Sequence, residues 1–183
     1  MITPKIIGLA GPEGAGKTTV ARILEGCHGY SRVPFAAPIK KMIRALGVDW
    51  RHTNGTPEEK AAPLAIFGGK SARHAMQTLG TEWGRQCIGP DFWCGAWAAE
   101  AARHDLIVAD DVRFPNEADR VRAMGGVVWC IVRSHDDLRR VPQHASEDFA
   151  AVRADEIIVN NGTIAALEEK LQLHLNPQLA LAI

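Results

Sequence analysis

Residues Gly11-Pro12-Glu13-Gly14-Ala15-Gly16-Lys17-Thr18 match G-x-x-x-x-G-K-[ST] at every fixed position. No other stretch constrains the fold as much, because this phosphate-binding loop works only where a buried strand feeds it and a helix leaves it. Both are written around it: Lys5 to Ala10 is a short apolar strand, and Thr18 to Leu24 reads as the opening turns of a helix. Glycines let the backbone turn its N–H groups inward around a phosphate, the helix N-terminus adds partial positive charge, and Lys17 adds a full one. The expected triphosphate contacts are therefore Gly11, Gly14, Ala15, Gly16, Lys17, Thr18 and Thr19, with the Thr18 hydroxyl available to Mg²⁺.

Composition narrows the partners. Among 183 residues, Lys+Arg and Asp+Glu both number 21, so there is no overall basic field to make a nucleic-acid polymer the main partner. Cys27, Cys87, Cys94 and Cys130 are widely spaced without a C-x-x-C pair, which reads as reduced core thiols rather than a disulfide or zinc framework. With no 18-residue apolar run and no leader before the first strand, the expectation is a soluble cytoplasmic protein without a membrane partner.

Along the chain, Tyr30 to Ala36 reads as a short edge strand because of Pro34, and Pro38 to Leu46 as a helix with Ile39, Met42, Ile43 and Leu46 on one face. Trp50 to Gly55 is polar and reads as a loop, after which Thr56-Pro57-Glu58-Glu59 forms a capping box. Between Gly69 and Ile88, Ala72, Met76, Leu79, Trp83 and Cys87 recur as a core stripe, while Arg73, Gln77, Thr81 and Arg85 form a second row suited to an anion-binding cleft. Gly80 and Gly84 weaken that helix, so it either breaks there or brings its backbone close to something. Asp91 caps an apolar helix running to Arg103, and Leu106 to Ala109 is a buried strand ending in Asp110-Asp111. Paired acids there have the Walker B form, in which a carboxylate such as that of Asp110 holds Mg²⁺.

Pro115 starts the next helix, leaving Arg113 between strand tip and helix. Val127 to Val132 is another buried strand with Arg133 at its exit. Ser134-His135-Asp136-Asp137 then reads as a capping box opening a short helix that carries Arg139 and Arg140. Glu156 to Val159 is a last strand, Asn160-Asn161-Gly162 a turn, and Thr163 caps a helix with Ile164, Leu167, Leu171 and Leu175 on one face. The apolar tail Leu179 to Ile183 packs on the body or on a second subunit, so a homodimer is one expectation.

Alternating strands and helices, with the P-loop, predict one α/β domain over residues 1–183: a three-layer P-loop NTPase fold with about five parallel strands and helices on both faces. Right-handed crossovers bring the strands' C-terminal ends to the P-loop side, collecting Lys17, Thr18, Asp110, Arg113 and Arg133 in one cleft. Arg73, Arg85, Arg113, Arg133, Arg139 and Arg140 exceed what one triphosphate needs, which favours a kinase whose acceptor carries a phosphate over a simple hydrolase. An N-K-x-D guanine signature is absent.

Met76-Gln77-Thr78-Leu79-Gly80-Thr81-Glu82-Trp83-Gly84-Arg85, Asp110-Asp111-Val112-Arg113-Phe114-Pro115-Asn116-Glu117, His144-Ala145-Ser146-Glu147 and Asn160-Asn161-Gly162-Thr163, with the P-loop, resemble the bacteriophage deoxynucleoside monophosphate kinase family from end to end. The resemblance implies ATP- and Mg²⁺-dependent phosphorylation of a deoxynucleoside 5′-monophosphate to the diphosphate. It implies catalytic roles for Lys17, Asp110, Arg113 and Arg133, with Arg113 gripping the acceptor phosphate. It adds a small lid over roughly 133–150, to which Arg133, Arg139 and Arg140 would belong, and Asn160 to Thr163, Gly162 included, would lie near the adenine. Arg73, Gln77, Arg85, Asp111 and Glu117 would meet the acceptor, mostly from helices within roughly 38–104, and Thr18 and Asp110 would hold the metal. Two positions depart from many relatives: Thr18 stands where Asp is expected after the lysine, restoring the ordinary Mg²⁺ ligand, and Ala37 stands where Asp is expected before the proline. The second puts an acidic acceptor contact in doubt and leaves Lys40 and Arg44 as secondary candidates. A kinase acting on a modified base in DNA or on a small phosphorylated metabolite is the nearest competing reading, and a non-catalytic nucleotide-binding module the next.

Overall fold

The computed structural model describes residues 3–139 and 151–176, with the Arg139 side chain also outside the description. Two compact units emerge: one from the chain up to Pro34 and from Glu100 onward, the other from Phe35–Ala99.

The first unit is built on five parallel strands, β1 (Ile6–Ala10), β2 (Ser31–Arg32), β3 (Ile107–Ala109), β4 (Val127–Val132) and β5 (Glu156–Val159), in the order β2-β3-β1-β4-β5. The strand carrying the P-loop is central, paired with β3 at Ile7↔Val108 and with β4 at Leu9↔Trp129. All five residues of β1 are buried, as a central parallel strand covered on both faces requires. Side chains alternate between the two faces. Ile7 and Leu9 join a core with Val20, Ala21 and Leu24 of α1 (Lys17–His28) and Leu167, Leu171 and Leu175 of α8 (Ile164–Leu175). Gly8 faces the other way, toward Val121 of α7 (Pro115–Ala123). Helices therefore cover both faces of a five-stranded parallel sheet, and the expected fold class is met. Each fully buried leucine of α8 contributes about 1.5–3 kcal/mol by leaving water. Thr163 caps this helix by accepting the Ala166 N–H, but Ile164, expected on the core face, is 63 % exposed because it lies in the first turn, ahead of the buried row.

The second unit is helical: α2 (Ala37–Ala45), α3 (Trp50–Asn54), α4 (Pro57–Ala61), α5 (Ala72–Thr78), a π-helical segment (Leu79–Ile88) and α6 (Phe92–Ala101) at its boundary. The Thr56 capping box forms as expected. Trp50 to Asn54, expected as loop, is a helical turn: the Asp49 carboxylate accepts the Arg51 N–H, and the Thr53 hydroxyl donates to the Trp50 carbonyl. Local polar side chains here support the helix rather than compete with it.

The long helix expected over 69–88 changes winding at Leu79. Trp93 explains why. Its indole Nε1 donates to the Gly80 carbonyl at 2.8 Å, and a Cβ on Gly84 would lie 2.2 Å from that nitrogen. The two glycines thus bring the backbone against a buried tryptophan, and a π turn accommodates the approach. Because π winding aligns side chains about five apart rather than four, the expected stripe fails beyond Leu79. Ala72 is buried, whereas Trp83 and Cys87 are exposed. Cys27 is exposed as well, so only Cys94 and Cys130 are core thiols.

Candidate active site

Gly16 is the N-cap of α1, and no side chain caps that end, in contrast to α5 and α8, which Ser71 and Thr163 cap. The first N–H groups of α1 are left to the loop's interior, the arrangement that receives a phosphate. Gly16 sits at φ 100°, and a Cβ there would meet the Asn160 amide at 2.2 Å. Only glycine fits on both counts. The Asn160 side chain, 6 % exposed, donates from Nδ2 to the Ala15 carbonyl at 2.9 Å and so ties the end of β5 to the loop.

Lys17 folds back over the loop, its Nζ donating to the carbonyls of Gly11 at 2.6 Å and Pro12 at 2.7 Å. Burial pushes its pKa down to about 8, with repulsion from Arg113 adding to the effect and attraction to Asp110 opposing it. The charge on Lys17 is thus held in a poorly solvated place, where an arriving polyphosphate would restore its preference for the proton.

Asp110, at the tip of β3 and 6 % exposed, accepts from the Thr18 hydroxyl at 3.3 Å and pairs with Arg32 through the same oxygen, Oδ2. A hydroxyl and a carboxylate at this separation are hard oxygen donors of the kind that would hold Mg²⁺. Among the described residues no group of three or more His, Cys, Asp or Glu gathers into a different metal site.

Arg133 leaves β4 and lies against the loop, donating from Nη1 to the Asn160 carbonyl at 2.8 Å and from Nε to the Gly14 carbonyl at 3.3 Å. Asp137 steadies this exit: its Oδ2 accepts the N–H groups of Arg133 at 2.8 Å and Ser134 at 3.1 Å. The acid of the expected 134–137 capping box therefore caps the turn itself. Arg113 is exposed and close enough to perturb Lys17. Its own N–H, and that of Phe114, are bound by the buried carboxylate of Glu117 at 2.8 and 3.2 Å. Glu117, expected at the acceptor, here holds the backbone that presents Arg113. Asp111 is half-buried beside Asp110.

The first unit thus brings together Lys17, Thr18, Asp110, Arg113, Arg133 and Asn160. Arg73 and Gln77 are exposed on α5, and Arg85, on the π segment, donates to the Pro90 carbonyl at 3.3 Å. The change of winding takes Arg85 off the line that Arg73 and Gln77 share. Of the aromatics available for stacking on a base, Phe35 is buried against Trp97 with ring centroids 4.3 Å apart, while Trp50 and Trp83 are exposed. Arg140, His144, Ser146, Glu147, the Arg139 side chain and the tail beyond residue 176 lie outside the described residues. Sequence reasoning missed Arg32, and it read Asp137 as a capping-box residue without linking it to Arg133. Arg32 ends the strand next to β3, and the available signal was a charged residue at the end of a strand in a parallel sheet.

A family model for deoxynucleotide monophosphate kinase matches residues 64–171. The chain is 32 % identical over 179 residues to a protein of Acanthamoeba polyphaga mimivirus provisionally named a deoxynucleotide monophosphate kinase, covering 87 % of this chain and 90 % of that one. It is 27 % identical to a dephospho-CoA kinase of Geobacter sulfurreducens strain ATCC 51573 / DSM 12127 / PCA, covering 91 % and 95 % respectively. Among solved structures, shikimate kinase of Acinetobacter baumannii in complex with shikimate superposes with a TM-score of 0.51 at 18 % identity over 96 % of this chain and 95 % of that one, a likeness of fold. Among the described residues no helix is long and apolar enough to cross a membrane.

Proposed function

Because the chain belongs to the deoxynucleotide monophosphate kinase family, a family of P-loop kinases, we propose that it transfers the γ-phosphate of ATP to a deoxynucleoside 5′-monophosphate. The bond from the γ-phosphorus to the ADP leaving oxygen breaks, and one forms to an oxygen of the acceptor's phosphate, giving the deoxynucleoside diphosphate. The observation that carries this reading is the family match over 64–171, which spans both specific segments, Leu79 to Arg85 and Asp110 to Glu117.

The P-loop backbone from Gly11 to Thr18, with Thr19, holds the donor's phosphates. Lys17 exchanges the carbonyls of Gly11 and Pro12 for phosphate oxygens, gaining the charge partner that burial makes it need. Thr18 and Asp110 hold Mg²⁺, which when bound neutralises charge on the phosphates. Arg133 swings from the Gly14 carbonyl toward the moving group, and Arg113, its backbone clamped by Glu117, grips the acceptor phosphate. Asp111, Arg73, Gln77 and Arg85 serve the acceptor, Asn160 and Gly162 border the adenine side of the loop, and Arg139 belongs to the lid. The proposal is of a cytoplasmic enzyme working on two small molecules.

ADP release measured across the four common deoxynucleoside monophosphates tests this. Turnover should depend on one or more of them, and Arg113→Ala should raise the acceptor KM and lower kcat far more than it weakens ATP binding. No stimulation by any of the four would sink the proposal. The likeness to a dephospho-CoA kinase motivates a second reading, a different phosphorylated acceptor, so dephospho-CoA belongs in the same panel.

A further inference from the structure

Arg32 belongs to none of the motifs, yet it pairs directly with Asp110. It ends β2, opposite Val108 of β3, so its side chain reaches forward past the neighbouring strand to the carboxylate two residues on. The guanidinium Nη2 donates to Asp110 Oδ2, the oxygen that also receives the Thr18 hydroxyl. A carboxylate as enclosed as this one is costly unless a cation faces it. Arg32 supplies that cation from a side chain still one-third exposed at 33 %, so it has room to leave.

We propose that Arg32 is a placeholder cation for the metal site: it neutralises Asp110 while the site is empty and gives up Oδ2 when Mg²⁺ arrives. This role for Arg32 rests on the proposed assignment of Thr18 and Asp110 as the metal's ligands, and not on which acceptor the enzyme uses. Mg²⁺ demands near-octahedral geometry with oxygens about 2.0–2.1 Å away, and a guanidinium nitrogen on the same oxygen both crowds that position and repels the ion in a poorly screened place. Two cations thus compete for one carboxylate. Arg32 has somewhere to go, because Glu25 and Asp111 both attract it electrostatically. The exchange keeps one positive partner on Asp110 at every stage, so the site never exposes an unpaired buried charge. Arg32 is therefore a positioning residue, setting how readily the metal loads.

The test is titration of the whole chain with Mn²⁺ alone, without nucleotide, following the free-ion EPR signal. Arg32→Gln should bind Mn²⁺ about tenfold or more tighter than the wild type, because the competing charge is gone. Arg32→Lys, which keeps a charge, should stay near the wild-type value. Wild-type affinity in Arg32→Gln would overturn the proposal, as would equal tightening in Arg32→Lys. Asp110→Asn should lose saturable binding; if it binds like the wild type, the ligand assignment itself is wrong, a failure distinct from that of the placeholder. Should Arg32→Gln fold poorly, its melting temperature with and without Mn²⁺ provides the second readout: the metal should raise it more than it raises that of the wild type, and an equal or smaller rise counts against the proposal.

Discussion

The two units place their polar and apolar groups in opposite ways. In the sheet unit, Asp110, Glu117, Asp137 and Asn160 are buried, and each engages the loop or strand exit beside it. In the helical unit the conspicuous feature is apolar and open: a cavity of about 500 Å³ lined by Met42, Ile43, Leu46, Phe67, Ala75, Leu79 and Trp83, with Lys70, His74 and Thr78 among its walls. Leu46 there is 55 % exposed, although helical periodicity puts it on the same face as buried Ile43. Buried polar groups specify geometry because each must find its partner, while an open apolar surface tolerates rearrangement. The sheet unit thus holds a fixed charge pattern, while the helical unit presents an open apolar surface.

Substitutions can break that contrast or sharpen it. The largest effect should come from Lys17→Ala, which removes a full charge from the phosphate site: kcat should fall about 10²–10³-fold or more while circular dichroism and melting stay near the wild type. Gly84→Ala should act the other way, forcing a methyl against Trp93 and destabilising by about 1–3 kcal/mol. Hydrogen exchange should rise within 35–99 and stay protected in β1 and β4. A uniform rise would show that the units do not open separately. Asn160→Ala leaves the Ala15 carbonyl without its side-chain donor and should cost about 1–3 kcal/mol, together with ATP affinity, with little change in acceptor KM.

The smallest effect is on pH dependence. Folding lowers the Lys17 pKa from 10.5 to about 8, so between those values the unfolded chain holds the proton that the folded chain has released. The contribution of Lys17 to stability therefore improves as pH rises through that window, whereas polyphosphate binding needs the protonated form. Above about pH 8, ATP affinity should fall by up to about tenfold per pH unit, with proton uptake visible in calorimetry across buffers of different ionisation enthalpy. Lys17→Ala should abolish that uptake.

What the sequence made legible follows the same division. The P-loop, the apolar strands and the acids after β3 depend on neighbours a few residues apart, and the observed parallel sheet keeps the P-loop strand at its centre. The change to π winding was only half legible. Gly80 and Gly84 announced a close approach, but the partner, Trp93, becomes identifiable only once the chain has folded back. Arg32 was invisible for a related reason: it and Asp110 are 78 residues apart and meet through strand pairing that no local pattern encodes. The burial of Glu117 and Asp137 was not legible either, because burial is not written in residue type; in the fold their carboxylates accept backbone N–H groups at the exits of β3 and β4.

The central claim is that the charge pattern of the sheet unit moves a phosphoryl group from ATP to a deoxynucleoside monophosphate. Phosphorus-31 NMR of ATP, Mg²⁺ and each deoxynucleoside monophosphate in turn, with catalytic amounts of protein, observes that transfer directly. The account predicts new α and β resonances of a deoxynucleoside diphosphate growing in step with those of ADP, for at least one base. Growth of ADP with inorganic phosphate alone, or no change with any of the four, would contradict it.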